Sequence, residues 1–215
     1  MKVIFSLFLF ITSFMVLGQA RKFHRCETDD ITSDISIKNF NIHHAHLFNG
    51  YSYLIGEDTD PDGYYGLRMI VLDQQKNKIY ETKGGGDAYY MSPYFFETEK
   101  TEDGTITLVA SGAEECWGTA IYHIKKEEVK YLGYLDMCAI VDGDYLSIPK
   151  YVNITTSKNE INFSFDDVAL GLDGLPHKVE IDYYDQSRQE SSVVDGNKLR
   201  ARYNHADGEL EIITD

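Results

Sequence analysis

Cys116-Trp117-Gly118-Thr119-Ala120-Ile121-Tyr122-His123-Ile124 is followed by Lys125-Lys126-Glu127-Glu128 and then by Val129-Lys130-Tyr131-Leu132-Gly133-Tyr134-Leu135-Asp136-Met137-Cys138. Two runs rich in aromatic and β-branched residues flank a short charged turn, which is the pattern of an antiparallel hairpin. With the hairpin centred on Glu127, residues whose numbers sum to 254 face each other, and Cys116 and Cys138 meet that condition. Directly opposed strand positions hold their Cβ atoms about 4.5–5.5 Å apart, close to what a disulfide needs. The pattern therefore predicts a Cys116–Cys138 bridge, which a slip of one residue would abolish. Cys26 is left as the odd thiol.

The same alternation extends outward in both directions, and helical periodicity is scarce. Strands are expected near Tyr51–Ile55, Leu67–Leu72, Lys78–Thr82, Tyr94–Glu97, Thr105–Ala110, Thr119–Ile124, Val129–Leu135 and Tyr145–Asn153. Further strands are expected near Ile161–Phe165, Lys178–Tyr184, Leu199–Tyr203 and Glu209–Ile213. Polar turns at Asp73 to Asn77 and Lys125 to Glu128, and glycines at Gly104 and Gly208, punctuate them. The expected fold is all-β, with antiparallel meanders forming a β-sandwich or an incomplete propeller-like array of about twelve short strands. A faint repeat supports the propeller-like alternative. The run from Gly66 through a polar turn to Lys78-Ile79-Tyr80 lines up with the run from Gly118 to Lys130-Tyr131-Leu132. The spacing of about fifty residues is that of propeller blades, yet three such modules are too few for a ring of about 4–8.

At the N-terminus, Met1-Lys2 precedes an apolar run from Val3 to Leu17 and the small-residue stretch Gly18-Gln19-Ala20. One positive charge, an apolar core and small residues before the cut make residues 1–20 an export signal. The apolar run is shorter than the roughly 20 residues a membrane span needs, and no later segment is apolar enough to cross. The mature chain is accordingly expected to be secreted or periplasmic, with no integral membrane segment. About 195 residues remain, sufficient for one large or two small β domains. A division into 21–140 and 141–215 is placed where Val141-Asp142-Gly143-Asp144 interrupts the pattern, although one continuous domain is equally compatible. Residues 21–40 read as a polar lead-in arm.

The formal net charge is −15, and Lys2 would leave with the signal. Such a surface repels phosphate backbones, which argues against nucleic acid and favours cations, basic proteins or neutral polar ligands. Three cysteines are too few for a disulfide scaffold.

Asp58-Thr59-Asp60-Pro61-Asp62-Gly63 carries the sharpest motif. Alternating carboxylates with a glycine at the sixth position can wrap oxygens around calcium. The acidic residue that calcium loops place at the twelfth position is Met69 here, and Pro61 withdraws an N–H. The same residues make a Pro-Asp-Gly turn on an acidic surface, so Asp58, Asp60 and Asp62 are candidate calcium ligands with a turn as the alternative. His44 and His46 would share a strand face and could serve copper, nickel or zinc, but a catalytic zinc site needs a third ligand that nothing adjacent supplies. Gly84-Gly85-Gly86-Asp87 lacks the Lys-Ser/Thr of a phosphate loop. It reads instead as a mobile loop presenting Tyr89 and Tyr90.

Tyr64, Tyr65, Tyr89, Tyr90 and Trp117 form the candidate ligand surface, since tyrosine supplies contact area with a polar tip. Each tyrosine pair is expected to split between the two faces of a strand. Nucleophile signatures such as Gly-x-Ser-x-Gly are missing, and the acid pairs Glu114-Glu115, Glu127-Glu128 and Asp166-Asp167 do not by themselves specify a hydrolase cleft. Asn153-Ile154-Thr155 and Asn162-Phe163-Ser164 match the N-glycosylation pattern. The sequence thus points first to an exported, non-catalytic binding or interaction protein, such as an acidic inhibitor or immunity-like partner of a basic protein. A carbohydrate-binding module or glycoside hydrolase with a tyrosine-lined site is the alternative, and a structural envelope-associated β protein the third.

Overall fold

The computed structural model describes residues 20–28, 35–172 and 192–214. These are all-β and antiparallel, with seventeen strands numbered in chain order and only short 3₁₀ turns besides. The expected strand at 178–184 lies outside the described residues.

The largest sheet has nine strands and curls nearly into a barrel. Its spatial order is β17 (Glu209–Thr214), β16 (Leu199–Asn204), β13 (Glu160–Phe165), β12 (Val152–Thr156), β1 (Arg21–Cys26), β6 (Tyr90–Glu97), β7 (Thr105–Gly112), β8 (Cys116–Lys125) and β9 (Glu128–Leu135). The outermost strands approach without pairing, and at that seam Lys130 Nζ sits 5.3 Å from the centre of the Tyr203 ring. A second sheet runs β11 (Asp144–Leu146), β10 (Met137–Val141), β14 (Ala169–Leu172) and β15 (Ser192–Asp195). The third is a meander of β2 (Phe40–Phe48), β3 (Tyr51–Asp58), β4 (Leu67–Leu72) and β5 (Lys78–Glu81).

Residues 21–26 are no loose arm. β1 lies inside the large sheet, pairing Phe23 with Ile154 on one edge and His24 with Glu97 on the other. Only Phe23 gives this strand a core side chain, so its hydrophobic signal is weak and its place is held by backbone bonds on both edges. The strand expected at 145–153 is likewise broken. Ser147 leads into a 3₁₀ turn at Ile148–Lys150, where Pro149 has no N–H for a ladder.

Two buried clusters fix the layers. Inside the curled sheet, Phe23, Phe96, Leu108, Ile121, Ile154, Phe163 and Tyr203 pack together, joined from the second sheet by Met137, Ala139 and Leu170. On the outer face of β6–β8, Phe95, Val109, Tyr122 and Ile124 meet Tyr53, Ile55, Met69 and Val71 of the four-stranded meander, as in a sandwich. Leu54, Ile70 and Leu72 turn to the meander's other face, covered in part by Ile35 and Ile37. With apolar packing on both faces, β4 reads Leu-Arg-Met-Ile-Val-Leu and is buried throughout, where a half-exposed strand would alternate. The faint repeat corresponds to two hairpins, β4–β5 and β8–β9, which face each other across this layer with Tyr80 edge-on to Tyr122.

The Cys116–Cys138 disulfide is present, with a Cα–Cα distance of 6.0 Å. Its register arises in an unexpected way. The β8–β9 turn is the pair Lys126-Glu127, both at positive φ, and the ladder starts with Lys125 opposite Glu128. A bulge between Ile121 and Tyr122 then inserts Leu132 and moves the pairing by one, so that Ile121 meets Gly133 and Thr119 meets Leu135. Without the bulge, the line of facing residues would miss Cys138.

Candidate functional site

The candidate site lies beside one end of the four-stranded meander. After β3 the chain makes a tight polar loop before β4. Asp60 O accepts the Gly63 N–H at 2.9 Å, Asp60 Oδ1 accepts the Asp62 N–H at 3.1 Å, and Asp58 Oδ2 accepts the Tyr64 N–H at 2.8 Å. Asn39 Nδ2 donates to Asp60 Oδ2 at 3.2 Å. Asp58 Oδ1 accepts from Arg68 at Nη2 (2.6 Å) and Nε (3.1 Å), while Arg68 Nη1 donates to Glu81 Oε2 at 2.8 Å. The Lys78 ammonium, and then Arg68, hold the Glu81 carboxyl below the usual carboxylate range. Arg68 is buried, and its guanidinium carbon is 5.2 Å from the centre of the Phe40 ring and 5.3 Å from that of Tyr64. A buried guanidinium paired in this way satisfies its desolvation need and anchors the loop. The first carboxylate of the aspartate motif is therefore committed to an arginine and a backbone N–H. Among the described residues no three His, Cys, Asp or Glu side chains gather where they could hold a metal.

The glycine tract forms the second wall. Gly85 N–H donates to Leu67 O at 2.7 Å and Gly86 N–H to Tyr65 O at 3.2 Å. This apposition leaves no room for side chains: a Cβ on Gly84 would stand 1.9 Å from Tyr65 O, and one on Gly66 (φ +83°) would stand 1.9 Å from Gly86 O. The glycines thus serve close backbone contact between the two loops. Tyr65 Oη donates to Asp87 Oδ1 at 2.6 Å, tying the walls together, and Tyr89 N–H donates to Gly112 O at 2.8 Å. Tyr65 and Tyr89 remain 72% and 76% exposed.

A bulge in β2 supplies the third wall. Ile42 pairs with Gly56 and His44 with Ile55, which leaves His43 as the extra residue. His43 Nε2 lies 3.2 Å from Glu57 Oε1 and 3.2 Å from Asn41 Nδ2.

Between these walls lies an open cavity of about 670 Å³, lined in part by His43, Glu57, Asp58, Asp60, Tyr64, Tyr65, Asp87 and Tyr89. Its size is within the roughly 300–1,000 Å³ usual for ligand pockets. No family model, curated protein or solved structure matches this chain.

Of the residues singled out in the sequence, the fold gathers Asp58, Asp60, Tyr64, Tyr65 and Tyr89 around this one cavity. Tyr64 and Tyr65 sit on a loop rather than a strand, and both are exposed instead of divided between faces. Asp62 lies on the same loop but outside the lining. Tyr90 opens β6, half-buried, with its hydroxyl beside Gly112. Trp117 is on β8 next to the disulfide, away from the cavity. His44 is exposed, and His46 lies 6.4 Å from the Phe95 ring. Glu57, Asp87, Arg68 and His43 are the site residues that motif reading missed. Asp87 directly follows the glycine tract and was within reach of that reading, whereas the bulge that re-aims His43 carries no local signal.

Four carboxylates line the cavity, and among the described lining residues there is no lysine or arginine. Asp58 is offset by its pairing with Arg68, so the negative field inside the concave wall comes chiefly from Glu57, Asp60 and Asp87, and such a field concentrates cations. Exposed tyrosine faces beside it can attract cations or stack on flat apolar groups.

Proposed function

We propose that this is an exported, non-catalytic binding protein, secreted or periplasmic, that engages a basic protein through the cavity between Glu57–Gly66 and Gly84–Tyr89. The observation that carries the reading is the meeting, in one cavity, of the Glu57, Asp60 and Asp87 carboxylates with exposed Tyr65 and Tyr89. The net charge of −15 adds long-range attraction for a basic partner. The leader-like N-terminus supports export, and the Cys116–Cys138 bridge is compatible with an oxidising compartment. Among the described residues no helix is long and apolar enough to cross a membrane.

The 72% and 76% exposure of Tyr65 and Tyr89 favours a second reading, in which the rings are a platform for a neutral polysaccharide. Equilibrium binding of the mature chain to basic peptides and to neutral oligosaccharides, in low and high salt, separates the two. Under the first reading, binding is strong at low ionic strength, falls steeply with salt and weakens in Asp60→Asn and Asp87→Asn. Salt-independent binding of an oligosaccharide, lost in Tyr89→Ala and indifferent to the aspartate changes, would establish the second in its place.

A further inference from the structure

We propose that the group this cavity takes is the guanidinium of an arginine side chain on the partner protein, an inference that rests on reading the cavity as a site for basic proteins. The fold already contains the recognition it implies. Arg68 lies against the rings of Phe40 and Tyr64, with its nitrogens forked between Asp58 and Glu81. Tyr64 also lines the cavity, so one ring serves both the internal guanidinium and the open wall. The cavity lining holds a second combination of ring and carboxylate. The Tyr65 hydroxyl holds Asp87 at 2.6 Å, which keeps ring and carboxylate side by side, and Tyr89 and Asp60 complete the lining.

Guanidinium suits this geometry better than ammonium. It is planar, more weakly hydrated and able to stack on a ring while bonding a carboxylate with two nitrogens at once. A lysine ammonium is a compact, strongly hydrated charge that gains most from a closed, dry cage, and these rings are largely exposed. The volume of about 670 Å³ also exceeds a single side chain, so a short stretch of peptide enters with the arginine.

The test is calorimetric titration of the mature protein at low salt with acetyl-Gly-Gly-Arg-Gly-Gly-amide, its lysine counterpart and an intact basic protein. Tyr89→Ala and Asp87→Asn are the site variants. Tyr145→Ala, exposed on β11 in another sheet, is the control. Melting curves establish that each variant is folded. The expected result is arginine peptide binding about tenfold tighter than the lysine peptide, reduced about tenfold in Tyr89→Ala and unchanged in Tyr145→Ala. Equal affinity for the two peptides would overturn the guanidinium assignment and leave the basic-partner reading standing. So would binding of the basic protein with no response to either peptide. If neither peptide nor basic protein binds at low salt, both fall together.

Discussion

Removing the Cys116–Cys138 bridge offers a quantitative check on how the sheets are tied together. The bridged residues are 22 apart, and closing a loop of that length in the unfolded chain costs entropy equivalent to about 3.4 kcal/mol at 25 °C by the loop-closure relation. Both cysteines are buried, at 7% and 2% exposure, so alanine is the better replacement because a serine hydroxyl there would need a partner. The bridge also joins β8 of the large sheet to β10, the strand on which the chain crosses into the second sheet. The Cys116→Ala/Cys138→Ala double variant, in a Cys26→Ala background, is expected to lose about 3 kcal/mol of unfolding free energy. For a domain of this size that is a fall of roughly 6–12 °C in Tm. Urea titration followed by far-ultraviolet circular dichroism, with the bridged Cys26→Ala protein as reference, measures it directly. A loss below about 1 kcal/mol with an unchanged m-value would refute the reasoning, since it would mean that the bridge constrains nothing the ladder does not already hold.

Gly66→Ala and Gly143→Ala impose the same unfavourable backbone region, at φ +83° and +91°, but only the Gly66 Cβ meets an obstacle, the Gly86 carbonyl at 1.9 Å. Gly143→Ala is expected to cost about 1–2 kcal/mol, and Gly66→Ala clearly more, with peptide binding lost as the loops separate; equal costs in urea titration would contradict the apposition. Burial holds His123 below its ordinary value, and burial followed by the His123 charge does the same for His205. The unfolded chain therefore takes up protons first as pH falls through about 6.5, and stability drops from there downward. His123→Gln/His205→Gln should show a smaller loss between pH 7.5 and 5.5 than the parent protein, and identical losses would exclude these groups as the cause. Millimolar calcium is expected to leave the melt of the protein comprising residues 21–215 unchanged, because Arg68 occupies Asp58. A rise of several degrees abolished by chelator would instead assign Asp58, Asp60 and Asp62 to the ion.

Most strand positions were legible because aromatic and β-branched runs between polar turns have few other solutions, as at Leu67–Leu72 and Thr105–Gly112. The disulfide was legible too, although the count succeeded through a compensation. The turn sits half a residue from the assumed centre, and the bulge at Leu132 restores the register. Strands whose place depends on neighbours rather than on their own side chains were not legible. β1 contributes one core residue, and β10 and β14 are short central strands of the second sheet, each held between two neighbours. β2 was not among the expected strands, although Asn49-Gly50, both at positive φ, closes a two-residue hairpin between Phe48 and Tyr51 and is a local signal for it. At the site, the aspartate run closes on itself as a hydrogen-bonded loop with Asp58 paired to Arg68, and the glycine tract packs backbone to backbone against Tyr65 and Leu67. What the sequence concealed was that the two loops share one cavity, because the contact is made by backbone atoms of Tyr65, Leu67, Gly85 and Gly86.

The most direct trial of the cavity as a binding site is an amide chemical-shift titration of the protein comprising residues 21–215 with an arginine-rich peptide at low salt. Shifts confined to residues 57–66 and 84–89, with the Arg68 side-chain resonance moving alongside them, are the predicted result. Saturable shifts centred elsewhere, or none at peptide concentrations that saturate the calorimetric signal, would contradict it.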